Sequence, residues 1–202
     1  MSIKSLKYVS IVIAFLLISC SELFESEKDY SSIYFPLEEG NIWYYCRLNA
    51  DSNNLIIRKV NDSFRRNDKI YYHWTDEEGS SFGYPIRADQ NGNILLLEGS
   101  EEYLWFDFSQ DSGSIYQFGQ EAQFGDKDYN YTVHVLSKNA TIDVPAGTFY
   151  GCMTFLFDIP QVCDEEIYYA FAPHVGIIYI GYDGWYSIGL KKAVVNGNSI
   201  EK

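Results

Sequence analysis

Basic residues are scarce in this chain: 15 Lys and Arg stand against 28 Asp and Glu, a formal net charge of −13. A surface of that sign repels phosphate backbones and anionic leaflets, which argues against a nucleic-acid partner and against a domain lying flat on lipid. Histidine is scarcer still. His73, His134 and His174 lie far apart, and no Cys-x₂-Cys pair stands beside them, so the ligand spacing of a zinc site is missing. No Gly-x-Ser-x-Gly elbow is present, and with it goes the serine nucleophile of that hydrolase class. No apolar run reaches the roughly 20 residues that span a bilayer, and past residue 20 nothing repeats with the 3.6-residue period of a long helix. The sequence therefore assigns no catalytic residue, no metal ligand and no cofactor.

The first positive signal lies at the N-terminus. Lys4 and Lys7 precede a largely apolar run over residues 9–18, the layout of a secretory signal peptide. The run ends in Leu17-Ile18-Ser19-Cys20, which resembles the recognition site of bacterial lipoprotein signal peptidase: aliphatic, then small, then cysteine. By that resemblance residues 1–19 are a removed leader. Cys20 then becomes the first mature residue, carrying a diacylglyceryl thioether and an N-acyl chain such as palmitate. Each buried CH₂ contributes about 0.8 kcal/mol, so two or three chains hold a protein stably on a membrane. Ser21 is not the aspartate that signals inner-membrane retention in well-studied enteric lipoproteins, so the outer membrane is the expected address, on either face. Residues 20–32 are polar and acidic, with little apolar surface to offset ordering entropy, and read as a flexible tether.

Removing the leader leaves 183 residues, with 13 Lys and Arg against 28 Asp and Glu, enough chain for one domain with a sizeable core. The domain is expected over residues 33–197, with a tail over residues 198–202. In residues 42–48, Ile42, Tyr44, Cys46 and Leu48 alternate with Trp43, Tyr45 and Arg47, the period of a strand. Similar runs follow to residue 195, separated by Arg66-Asn67-Asp68, Asn91-Gly92, Glu98-Gly99 and other residues that accept positive φ. Asn91-Gly92 reads as a tight primed turn. The gaps are too short for parallel crossovers. The expected fold is all-β: a single antiparallel meander forming a strongly curved sheet or half-barrel, with a two-sheet β-sandwich as the alternative.

Three cysteines remain beyond Cys20. Cys152 and Cys163 flank a turn-like Asp158-Ile159-Pro160-Gln161 and are the favoured disulfide in an oxidising compartment; the alternative joins Cys46 to one of them. The acidic clusters Asp76-Glu77-Glu78 and Asp164-Glu165-Glu166 read as solubilising, with a minority reading as collectors of divalent cations. Asp89-Gln90-Asn91-Gly92-Asn93 fails as a calcium loop, its glycine standing at position four and Ser100 at position twelve. Aromatic residues crowd the strands: 18 Tyr, 13 Phe and 4 Trp. They serve as core and cross-strand ladders, or as a concave contact face for which Tyr71, Trp74, Trp105 and Tyr169 are the candidates.

Tyr34-Phe35-Pro36-Leu37-Glu38-Glu39-Gly40-Asn41-Ile42-Trp43-Tyr44-Tyr45, Val144-Pro145-Ala146-Gly147-Thr148-Phe149 with Cys152, and Tyr168-Tyr169-Ala170-Phe171-Ala172-Pro173-His174-Val175-Gly176 form a set. Together they resemble the P-L-x-x-G-x-x-W-x-Y, V-P-A-G-T-F-x-x-C and Y-Y-A-x-x-V-G stretches of uncharacterised bacterial lipoproteins. The resemblance implies an exported all-β lipoprotein and no catalytic residues. The expected function is a lipid-anchored envelope protein acting as a binding or scaffolding module, more a binder than an enzyme, with a protein, glycan or lipid as ligand. The alternatives are a half-barrel carrier of a lipid or small hydrophobe, and, third, an enzyme acting on envelope polysaccharide.

Overall fold

The computed structural model describes residues 34–48, 55–76, 83–124 and 127–202. Cys20, the leader and the tether lie outside them. The described residues form one antiparallel sheet of thirteen strands: β1 (Ile42–Arg47), β2 (Leu55–Arg66), β3 (Lys69–Thr75), β4 (Ile86–Ala88), β5 (Ile94–Glu98), β6 (Glu101–Phe106), β7 (Ile115–Phe124), β8 (Lys127–Val144), β9 (Gly147–Asp158), β10 (Ile167–Ala172), β11 (Gly176–Tyr182), β12 (Tyr186–Val195) and β13 (Asn198–Ile200). The order β6-β5-β4-β3-β2-β1-β12-β11-β10-β9-β8-β7 is a meander nearly closed on itself, with β6 and β7 at its two ends. Each strand lies beside its neighbour in sequence, and β1 pairs with β12 from Ile42↔Val194 to Arg47↔Ile188. The expected curved sheet is therefore a nearly complete barrel. The ladder also runs past residue 197, through Ala193↔Ile200.

Among the described residues the backbone ladder breaks between β6 and β7, where side chains bridge the gap. The Tyr116 hydroxyl donates to the Trp105 carbonyl at 2.9 Å and accepts from the Asp107 amide at 3.2 Å. Gly119 leaves room for the Tyr103 ring, whose Cδ1 would lie 3.3 Å from an added Cβ.

Twelve strands enclose a wider interior than the eight that ordinary side chains fill, and here aromatic rings occupy it. Phe106 is the hub. Its ring centroid lies 4.6 Å from Phe171, 5.1 Å from Tyr169, 5.2 Å from Phe155 and 5.4 Å from Phe157, so one β6 side chain reaches across to β9 and β10. Most of these pairs are edge-to-face, the geometry favoured by the ring quadrupole, worth about 0.5–1.5 kcal/mol each beyond area burial. A bulge makes the arrangement possible. Ile94 pairs with Phe106 and Leu95 with Leu104, so Trp105 is an extra residue and both it and Phe106 reach the interior.

Turn chemistry matches the sequence in kind and differs in detail. Asn67 (φ 49°) and Asp68 (φ 61°) make the two-residue primed turn between β2 and β3. Asn91-Gly92 does not. There the Asp89 amide bonds the Asn93 carbonyl, and Gly92 alone has positive φ, 85°. This is the three-residue hairpin, a turn followed by a left-handed residue, and the Asp89 carboxylate sets it by accepting from the Asn91 and Asn93 amides at 2.8 and 2.9 Å.

The segment around Tyr34–Tyr45 and the β10–β11 turn meet at one barrel end. Trp43 Nε1 donates to the Val175 carbonyl at 2.6 Å, the Tyr45 hydroxyl to the Ile177 carbonyl at 2.9 Å, and the Tyr34 hydroxyl to the Gly151 carbonyl at 3.3 Å. Phe35 lies edge-on to Trp43, Trp74 and Phe171. Buried Asn41 fastens this entry segment to the β12–β13 turn, its Nδ2 donating to the Pro36 carbonyl at 2.8 Å and its Oδ1 accepting from the Asn196 amide at 2.8 Å.

Candidate functional site

The four aromatic residues expected to form a contact face do not form one. Trp74 is 4% exposed, and Trp105 links it to Tyr169 inside the barrel with centroid separations of 6.5 and 6.3 Å. Burial pushes the Tyr169 hydroxyl far above the ordinary phenol value. Tyr71 points outward, because strand alternation sends Tyr72 and Trp74 into the core, yet it too is covered. It stacks on Phe64 at 5.5 Å and donates to Glu102, which also accepts from Arg87 and from Lys69 Nζ at 2.6 Å. The period-two pattern reports that a residue is in a strand and is silent on what covers its outer face.

The expected Cys152–Cys163 bridge is absent as well: Cys46, Cys152 and Cys163 are free thiols. Cys152 sits in β9, paired with Ala140, whereas Cys163 lies in the β9–β10 loop beyond Phe157↔Ile167. The strand from Cys152 to Phe157 alone covers roughly 17 Å at about 3.3 Å per residue, and a disulfide tolerates about 7 Å between Cα atoms. Burial pushes the Cys152 thiol up to about 11.

Exposed aromatic surface lies instead at the rim opposite the Phe35 plug, in a pocket of about 270 Å³ between the β9–β10 loop and the β11–β12 turn. Trp185 forms its outer wall and is 78% exposed, in contrast to Trp43 at 0% and Trp74 at 4%. Gly184 (φ 68°) lets the chain turn sharply, and the Trp185 amide bonds the Tyr182 carbonyl at 3.2 Å. That hairpin places Tyr182 opposite Tyr186, ring centroids 5.0 Å apart. Tyr131 completes the aromatic side.

The other side is acidic. Asp164, Glu165, Glu166 and Ile167 line it, and the loop is docked on the turn by the Asp183 amide, which bonds the Glu166 carbonyl at 3.1 Å. Glu165 is held in place by its Oε1, which accepts from the Ile159 amide at 2.7 Å. Its Oε2, and Oε2 of Glu166, are buried with no hydrogen-bond partner. Burial raises the Tyr131 hydroxyl pKa, with Glu165 adding to the shift; burial also raises that of Tyr182. A cation already sits on this aromatic set: the Arg47 guanidinium lies 4.7 Å above the Tyr186 ring. Among the described residues no three His, Cys, Asp or Glu side chains converge closely enough to hold a metal ion.

Sequence reasoning singled out Asp164-Glu165-Glu166, as solubilising or cation-collecting, and did not single out Trp185. The available signal was Asp183-Gly184, a turn pair that puts the next side chain at a hairpin tip. Nothing in the spacing joins residues 164 and 185; the β10–β11 hairpin does.

No family model matches the chain, and no curated protein matches it. Two solved structures are similar. One is a "putative exported protein with YmcC-like fold" from Bacteroides fragilis NCTC 9343, 17% identical over 78% of this chain and 97% of that one, with a TM-score of 0.39. The other is a "putative lipoprotein" from Parabacteroides distasonis ATCC 8503, 17% identical over 79% and 98%, with a TM-score of 0.38. At these values fold and function rest on the chain's own residues.

Proposed function

We propose that this chain is a lipid-anchored protein of the bacterial envelope, held at the outer membrane through Cys20, whose barrel is a binding or scaffolding module with its contact site at the Trp185 pocket. The observation that supports the module is the aromatic lattice centred on Phe106: rings from β6, β9 and β10 occupy the space in which a carrier would hold its cargo. Contact is then made at the rim, where Trp185 stands exposed. The anchor rests on Leu17-Ile18-Ser19-Cys20 and the leader that precedes it. Two measurements on the full chain in cells test the two halves. Cys20→Ser is expected to move the protein out of the membrane fraction, and retention there would overturn the anchor. A photoreactive residue at position 185 is expected to give an adduct that the same residue at exposed Tyr150, near the opposite rim, does not. No adduct at 185, or equal adducts at both, would overturn the module reading.

A further inference from the structure

We infer that the tip of the β8–β9 hairpin is a detachable strap, which lifts from the outer face of β12 while the barrel stays folded and so gates access to the Cys46 thiol beneath it. This goes beyond the module reading and is independent of the Trp185 pocket.

Gly189 marks where the strap rests. Its neighbours in β12, Ile188 and Leu190, face the core, so the bare Cα of Gly189 faces outward. A Cβ there would lie 2.8 Å from Leu48 Cδ2, 3.2 Å from Pro145 Cδ and 3.3 Å from Val144 Cγ1. Gly189 is not among the glycines with positive φ, so its backbone does not require glycine; the close approach of another segment does. That segment is the turn between β8 and β9, and the Ala146 amide bonds the Leu190 carbonyl at 2.8 Å. Cys46 lies directly across the β1–β12 ladder from Gly189, and opposed residues share a face. Its neighbour Tyr45 faces the core, so Cys46 points outward, yet it is only 2% exposed. An outward thiol is buried because Leu48 and the strap cover this face.

The strap is braced within itself and loosened at its base. Its ladder runs Ile142↔Phe149, Asp143↔Thr148 and Val144↔Gly147, and Thr148 Oγ1 donates to Asp143 Oδ1 at 2.5 Å across it. At the base the register shifts between Val135 and Ser137, between Ser137 and Ala140, and again between Ala140 and Ile142. On the facing strand Gly151 has φ 65°. Bulges opposite a left-handed glycine make a hinge. The β2–β3 hairpin, by contrast, is fastened by charge: Lys69 and Tyr71 bond Glu102, and Arg66 bonds the Gly99 carbonyl. Among the described residues no ion pair holds residues 141–150. Lifting the strap gives up the Ala146–Leu190 bond and the packing of Val144 and Pro145, while the β1–β12 ladder keeps its own pairs. Local opening of this kind costs less than global unfolding and is populated first.

The test is maleimide labelling of the full-length protein in nonionic detergent, with the modified cysteine located by peptide mass and hydrogen exchange of the β1–β12 amides followed in parallel. Cys46 is expected to react through local unfolding of the strap, more slowly than exposed Cys163 yet while the β1–β12 amides stay protected. Gly189→Val places a side chain where the strap rests, and Pro145→Gly removes a contact from the strap's own side. Each should speed Cys46 labelling at least tenfold with β1–β12 protection retained. Tyr116→Phe, which loosens the whole fold from the β6–β7 seam, should leave the Cys46 rate unchanged. Cys46 labelling that keeps pace with β1–β12 exchange, or that rises in Tyr116→Phe as much as in the strap variants, would mean that only global unfolding frees the thiol and would overturn the inference. Labelling as fast as that of Cys163, or an unchanged rate in both strap variants, would overturn it as well.

Discussion

Trp43 donates its indole N–H to the Val175 carbonyl at 2.6 Å, tying together two stretches 132 positions apart in sequence. Both groups are buried, and the bond joins β1, which pairs with β12, to the β10–β11 hairpin. Trp43→Phe keeps most of the apolar volume and removes the donor. It should destabilise the protein by about 1–3 kcal/mol, the cost of a buried acceptor losing its partner. Chemical denaturation would show the midpoint falling with an unchanged slope.

Gly176 sits beneath the same indole with φ 103°, and an added Cβ would lie 3.2 Å from Trp43 Nε1 and 3.4 Å from Phe35 Cδ2. Gly176→Ala combines backbone strain with crowding in the plug. A loss of about 1–3 kcal/mol is expected. Gly184→Ala, with a similar sign of φ but open space around it, should cost less, and the pair of thermal midpoints would separate strain from crowding.

The β6–β7 seam depends on the Tyr116 hydroxyl, whose burial raises its pKa well above the phenol value. Tyr116→Phe should cost about 1 kcal/mol globally. Locally it should accelerate hydrogen exchange at the Asp107 amide, which Tyr116 protects, more than at amides of the β1–β12 ladder.

Much of this fold is legible in the sequence, and the failures have physical causes. Alternation in residues 42–48 predicts a half-buried strand because side chains switch faces at every residue, and Trp43 and Tyr45 do face the core. The same reasoning splits β8, since the polar Ser137, Lys138 and Asn139 look like a loop; bulges on either side of Ser137 and Ala140 instead carry the strand through them. Bulges also defeat alternation at Trp105 and Phe106. The Trp185 pocket was out of reach because its two walls are brought together only by tertiary pairing.

Glu102 gives a pH signature. Hydrogen bonds from Arg87, then Lys69 and Tyr71, outweigh its partial burial and hold its carboxyl well below the usual carboxylate range. A carboxyl whose pKa is lower folded than unfolded contributes stability that is fully present above the unfolded value, about 4.3, and lost as pH falls toward the folded one. The stability difference between the parent and Glu102→Gln should therefore be constant near neutral pH and shrink steadily below about pH 4.3.

Thiol accessibility tests the free cysteines. Cys163 is exposed, while Cys46 and Cys152 are buried, and burial raises the Cys152 thiol to about 11. A maleimide should label Cys163 rapidly in the folded protein and reach the other two only on unfolding. Protection of Cys163 that reductant removes would point to the disulfide that the structure lacks.

The claim that the barrel is filled, so that contact is made at its rim, is tested most directly by native mass spectrometry of the full-length chain released from membranes in mild detergent. The aromatic lattice around Phe106 predicts the mass of the covalent polypeptide alone, with no retained hydrophobe once detergent is stripped. A stoichiometric lipid or other small hydrophobe, held until the protein unfolds, would contradict it and make the barrel a carrier.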